Sequence, residues 1–134
     1  MTKNQVTDPL FPECPVRNVL ARIGDKWSIL VLLTLDGAAG KPLRFKAIEA
    51  AIPDISQKML TQVLRDLEAD GLVLRHAYAE VPPRVEYELT DRSRSLLPHI
   101  HNLVGWALNN LSDIVKDRKA FRNCNYIKFT NEVF

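Results

Sequence analysis

The hydrophobic pattern of the chain is helical over most of its length and changes period once. Val16, Val19, Leu20 and Ile23 recur at i, i+3, i+4 and i+7. That spacing predicts a short amphipathic helix after Cys14, with Pro15 in a first turn where its missing N–H costs nothing. Gly24 ends it. Asp25 is placed to cap a second helix, Lys26 to Leu35, which is apolar nearly all round and therefore reads as buried and central. Asp36 to Lys41 reads as a loop and Pro42 to Arg44 as a short edge strand, where proline is tolerated. Phe45, Ile48 and Ile52 share one face of another short helix, which Pro53 ends.

The stretch Ser56 to Asp70 predicts the helix around which the rest is arranged. Met59, Leu60, Val63, Leu64 and Leu67 fall on one side, with Ser56 as N-cap and Gly71 as the C′ residue. The other side carries Gln57, Lys58, Thr61, Gln62 and Arg65, side chains able to reach base edges and phosphates in a major groove. Two short helices joined by a tight turn, the second with a polar face, form a helix-turn-helix pattern. After Gly71 the period becomes that of strands. Leu72 to Val81 and Val85 to Leu89 flank Pro82-Pro83-Arg84 and predict a β-hairpin, a wing, with Arg84 expected at its tip for a phosphate or minor-groove contact. Thr90 caps a long final helix. In it Leu97, Ile100, Val104, Ala107, Leu111 and Ile114 approach a heptad seam, and such a seam calls for a partner helix, first of all that of a second copy. Pro98 fits only if it bends that helix or lies near its start.

The fold class expected is therefore α+β: a mostly helical winged helix-turn-helix with a two- or three-stranded β-wing and N- and C-terminal dimerisation helices. Residues 1–13 read as a flexible arm, 14–111 as the winged domain with its dimerisation helices, and 112–134 as a C-terminal extension. Charge sharpens this picture. The 134 residues carry a net charge of only +2. From Lys41 to Arg65, however, five basic residues face two acidic ones, and the next five positions hold three acids and no base. The first half of the reading unit is locally positive and its far end is not. No apolar leader or membrane-length run is present, so a cytoplasmic protein is expected.

Enzymatic chemistry finds little footing. His76, His99 and His101 lack metal-ligand spacing, two cysteines make no framework, and no phosphate loop or nucleophile motif is present. No metal and no cofactor is expected. A winged-helix adaptor without DNA contact would need an acidic or apolar outer face on the reading helix, the opposite of what stands there.

Several runs, taken together, resemble the HxlR-type winged helix-turn-helix regulators: Cys14-Pro15-Val16, Gly24 to Leu30, Leu43-Arg44-Phe45, Ile55 to Thr61, Leu64 to Glu68, Asp70 to Val73, and Val81 to Tyr87 with Leu89-Thr90. The match covers roughly Cys14 to Asn110 in order and spacing. One departure is Ser93, where glycine is expected, a change expected to matter little. The resemblance implies a bacterial, cytoplasmic, homodimeric transcription factor on a roughly palindromic operator; repression is the default expectation, because a small dimer without an activation surface most readily acts by occupying a promoter. By position the DNA-binding residues are Arg44, Ser56, Gln57, Lys58, Thr61, Gln62, Arg65 and Arg84. Gln57, Thr61 and Gln62 are expected to read bases; Lys58, Arg65 and Arg84 are expected to clamp phosphates. Cys14, ahead of a helix N-terminus with Arg17 one turn on, is the redox-sensing candidate. Some members of the resembled family sense oxidants or electrophiles through an N-terminal cysteine. The alternative input is a small-molecule effector in a pocket near the dimer interface. Cys124 and the basic, aromatic tail carry no assignment.

Overall fold

The computed structural model describes the backbone of residues 15–133 and the side chains of residues 16–124. The expectations placed on residues 1–13 and on Cys14 lie outside the described residues. The element order is α1 (Pro15–Ile23), α2 (Lys26–Asp36), β1 (Leu43–Arg44), α3 (Phe45–Ala51), α4 (Gln57–Ala69), β2 (Val73–Tyr78), β3 (Arg84–Leu89) and α5 (Asp91–Val133). Two compact units divide between Leu97 and Pro98.

In the first unit α2, α3 and α4 pack with a small antiparallel sheet of order β1-β3-β2, while Val19 and Leu20 of α1 are more than half exposed. Asp25 caps α2 by accepting from the Ser28 N–H at 3.2 Å. Val31, Leu32 and Leu35 of α2 meet Ile48 of α3 and Leu60, Leu64 and Leu67 of α4 in the core. β1 is the edge strand expected, pairing Leu43 with Tyr87 and Arg44 with Glu86. The wing hairpin pairs Val73 with Leu89, Arg75 with Tyr87 and Tyr78 with Arg84. Because Val73, Tyr87 and Leu89 are buried, the alternation of the strands places Arg75 on the inner face too.

The end of α4 and the start of α5 are tied by a compact set of hydrogen bonds. Gly71, at φ +71°, closes α4 with the Leu72 N–H on the Leu67 carbonyl (2.9 Å) and its own N–H on the Glu68 carbonyl (3.0 Å). This is a Schellman closure, with Leu72 and Leu67 both buried as its apolar pair. The Thr90 hydroxyl donates to the Gly71 carbonyl (2.7 Å) and accepts from the Ser93 N–H (3.2 Å). The Ser93 hydroxyl in turn accepts from the Thr90 N–H at 2.9 Å. Ser93 is 0 % exposed, so the expectation that this departure matters little is corrected. Its hydroxyl completes a reciprocal cap that glycine has no atom to make.

The second unit is the remainder of α5. Pro98 stands inside that helix and withdraws one donor from its ladder. In it Leu103, Trp106, Leu111 and Phe121 are each more than half exposed. Among the described residues no helix is long and apolar enough to cross a membrane.

Candidate nucleic-acid interface

α4 presents its polar side from a rigid base. Leu60 and Leu67 are 0 % exposed, and burying side chains of that size stabilises by roughly 1.5–3 kcal/mol each. Met59 departs from the expected apolar stripe: at 41 % exposure it lies at the stripe's margin. Ser56 caps the helix by accepting from the Met59 N–H at 3.0 Å. Its hydroxyl proton stays available, beside first-turn N–H groups that favour an anion.

The outward face holds Gln57, Lys58, Thr61, Gln62 and Arg65, all exposed, but they are not equally free. The Thr61 hydroxyl donates back to the Gln57 carbonyl at 2.8 Å. Thr61 therefore offers outward a methyl group and lone pairs rather than a donor, a surface suited to a thymine methyl. The Gln62 amide donates to Asp66 Oδ1 at 3.0 Å, which orients its carboxamide along the helix. The side chains of Gln57, Lys58 and Arg65 have no hydrogen-bond or ion-pair partner among the described residues.

Three acids at the C-terminal end of α4 oppose the helix dipole. Their compensation comes from other elements. Arg22 Nη1 of α1 lies 3.3 Å from Asp66 Oδ1 and 3.5 Å from Asp70 Oδ2. Arg92 donates to the Asp70 carbonyl at 2.8 Å. The two arginines offset part of the acidic charge at this end, Arg22 through Asp66 and Asp70 and Arg92 through the Asp70 carbonyl, and Glu68 stays outside ion-pair distance of either.

Arg84 is corrected in place and environment. It is the first residue of β3, not the tip of the wing; Val81, fully exposed, and the two prolines form the turn. Its guanidinium donates to Glu80 (3.0 Å) and Glu86 (3.1 Å) and lies 4.0 Å from the centre of the Tyr78 ring. An arginine held between two carboxylates has its charge spent within the hairpin. Arg44 stands exposed on the edge strand, at the N-cap of α3, with no side-chain cap bond.

A cleft of about 550 Å³ opens between α4 and the sheet, lined by Thr61, Leu64, Arg65, Glu68, Arg75 and Tyr87. It unites Thr61 and Arg65 from the predicted set, and leaves Arg44, Gln57, Lys58, Gln62 and Arg84 outside its lining. Arg22, Arg75 and Arg92 were not singled out from sequence. Arg75 alone had a signal there, a basic residue two positions from Val73 at an inward register position.

Comparison with known proteins agrees with this architecture. The profile described as HxlR-like helix-turn-helix matches residues 22–115. Over 93 residues the chain is 50 % identical to an HTH-type transcriptional regulator of Methanothermobacter thermautotrophicus, covering 69 % of each. The solved transcriptional regulator ytfH of Salmonella typhimurium superposes with a TM-score of 0.73 at 32 % identity, covering 84 % of this chain and 97 % of that one. A structure of the redox regulator HypR in its oxidised form gives a TM-score of 0.61 at 43 % identity, over 72 % and 97 % of the two chains. With its two short helices, capped reading helix and three-stranded wing sheet, the chain belongs to the HxlR-like helix-turn-helix family and is a DNA-binding transcriptional regulator.

Proposed function

We propose that the chain is a homodimeric repressor, without enzymatic activity, that occupies a roughly palindromic operator and is released by oxidation at Cys14. The observation that carries the DNA reading is the outer face of α4: polar, carrying Lys58 and Arg65, capped at both ends and backed by a fully buried stripe. In this reading α4 enters the major groove. Gln57, Gln62 and the Thr61 methyl face the bases; Ser56, Lys58, Arg65 and Arg44 meet the backbone. Arg84, neutralised by Glu80 and Glu86, is left out of the phosphate set.

Dimerisation is supported by the exposed apolar residues of the second unit, since Leu103, Trp106, Leu111 and Phe121 on one helix form a surface that a second copy covers. Two recognition helices related by a two-fold axis read half-sites about 34 Å apart. Occupying a promoter is the action open to a small dimer of this kind. Thiol switching is supported by the similarity to a regulator named for redox control and by the position of Cys14 directly ahead of α1. α1 reaches the reading helix through Arg22, which contacts Asp66 and Asp70, so a displacement of α1 is felt at α4.

The test is a gel-shift titration on DNA selected by the protein from a random pool, with and without a thiol oxidant, for wild type and Cys14→Ser. Expected is binding lost on oxidation in wild type and retained in the variant. Binding indifferent to oxidant in both refutes the thiol switch, and no selected sequence refutes the DNA reading.

A further inference from the structure

We infer that the cleft between α4 and the sheet seats one DNA backbone phosphate, and that Arg75, a residue of β2 and not of the helix-turn-helix, is its second clamp. This rests on the DNA-binding reading above and extends it to a residue outside the recognition helix.

The strand register supplies the first argument. Arg75 pairs with Tyr87 and lies on the same sheet face as buried Val73, so its side chain leaves the sheet toward α4, where the alternation calls for an apolar group. Arg75 is exposed nonetheless, because the cleft there is open to solvent.

The second argument is charge. In the same unit Arg22, Arg84 and Arg94 are paired with carboxylates and Arg92 with a carbonyl. Arg65 and Arg75, which line one cleft from opposite walls, have no such partner among the described residues. Glu68 lines the cleft too, outside ion-pair distance of both, so two guanidiniums face one carboxylate and a net positive charge remains. Like charges facing one cleft repel, and an anion between them relieves the repulsion while receiving forked donors from both sides.

The third is position. Thr61 and Arg65 lie on the edge of the reading face that turns toward the sheet. With α4 in the major groove, that edge looks toward the flanking strand and not the base edges. Thr61 has spent its proton on the Gln57 carbonyl, so the available donors are Arg65, Arg75 and the Tyr87 hydroxyl. A strong set of donors without a base-reading acceptor beyond Glu68 matches phosphate.

The experiment compares wild type, Arg75→Ala and Arg75→Lys on selected DNA across 50 to 200 mM salt, and on the same DNA carrying single methylphosphonate linkages. Removing one phosphate contact lowers the salt slope by about 0.9, or roughly 1.8 for a dimer; with Arg65 still facing that phosphate, Arg75→Ala should lower the slope by up to this amount, so the fourfold rise in salt should cost it up to about 12-fold less affinity than it costs wild type. Arg75→Lys should keep the slope. One linkage in each half-site should weaken wild type when neutralised and weaken Arg75→Ala less, because only Arg65 then faces that phosphate. An unchanged slope and an unchanged methylphosphonate profile in Arg75→Ala overturn the phosphate seat while leaving the DNA reading standing. A loss confined to one base pair overturns it in favour of a base contact. Inorganic phosphate that binds DNA-free wild type at millimolar concentration but not Arg75→Ala, while the methylphosphonate profiles of the two on DNA stay identical, overturns it in favour of a free anion. Wild type that selects no DNA fails the underlying reading instead.

Discussion

Thr90→Ala is the substitution that most directly interrogates how the reading helix is anchored. The Thr90 hydroxyl serves two elements at once: it accepts the Ser93 N–H as the N-cap of α5 and donates to the Gly71 carbonyl at the close of α4. Loss of a threonine cap costs about 1 kcal/mol, and loss of a partly buried hydrogen bond to a turn carbonyl about 1 more. The expected destabilisation is therefore about 2 kcal/mol, read as a fall of roughly 6–10 °C in the unfolding midpoint of a chain this size. Urea unfolding at one fixed protein concentration measures it, because the stability of the proposed dimer would depend on concentration. Thr90→Ser restores most of the loss. The reciprocal geometry adds a stricter condition. Once Thr90 is alanine the Ser93 hydroxyl has lost part of its cap, so Ser93→Ala should cost clearly less on that background than on wild type. A Thr90→Ala cost under about half a kcal/mol, or strict additivity of the two changes, refutes the reasoning.

Three further outcomes follow from other parts of the fold. Leu60→Ala, at a side chain 0 % exposed beneath the reading face, should cost about 2–5 kcal/mol in urea unfolding; a cost below 1 would mean that α4 is not seated as described. Arg84→Ala should lower stability by no more than about 1 kcal/mol, since its ion pairs are partly exposed, and should leave the salt slope of DNA binding unchanged. A slope reduced by about 1 per site would return Arg84 to the phosphate contacts. Leu111→Glu, placing a charge on the exposed apolar side of α5, should shift micromolar protein from dimer to monomer in sedimentation. A wild-type monomer at that concentration contradicts the dimer outright.

Much of this protein was legible in its sequence because the relevant signals are local. The 3.6-residue spacing of Leu60, Val63, Leu64 and Leu67, the Ser56 cap and Gly71 at positive φ together determine where α4 begins, ends and faces. The edge position of β1 followed from Pro42, and the hairpin from β-formers on either side of two prolines. What tertiary structure alone decided is which charges are spent. Arg84, Arg65 and Arg75 look alike in sequence, yet the first is held by Glu80 and Glu86 while the other two line a cleft unpaired. Asp66 and Asp70 look like acids opposing the dipole of their helix until Arg22 arrives from α1, more than forty positions earlier in the chain. Ser93 looked like a tolerable exchange until its hydroxyl was found buried against Thr90. Helix ends and buried stripes depend on neighbours a few residues away, whereas the fate of a long charged side chain depends on what distant segments bring within a few ångströms of it.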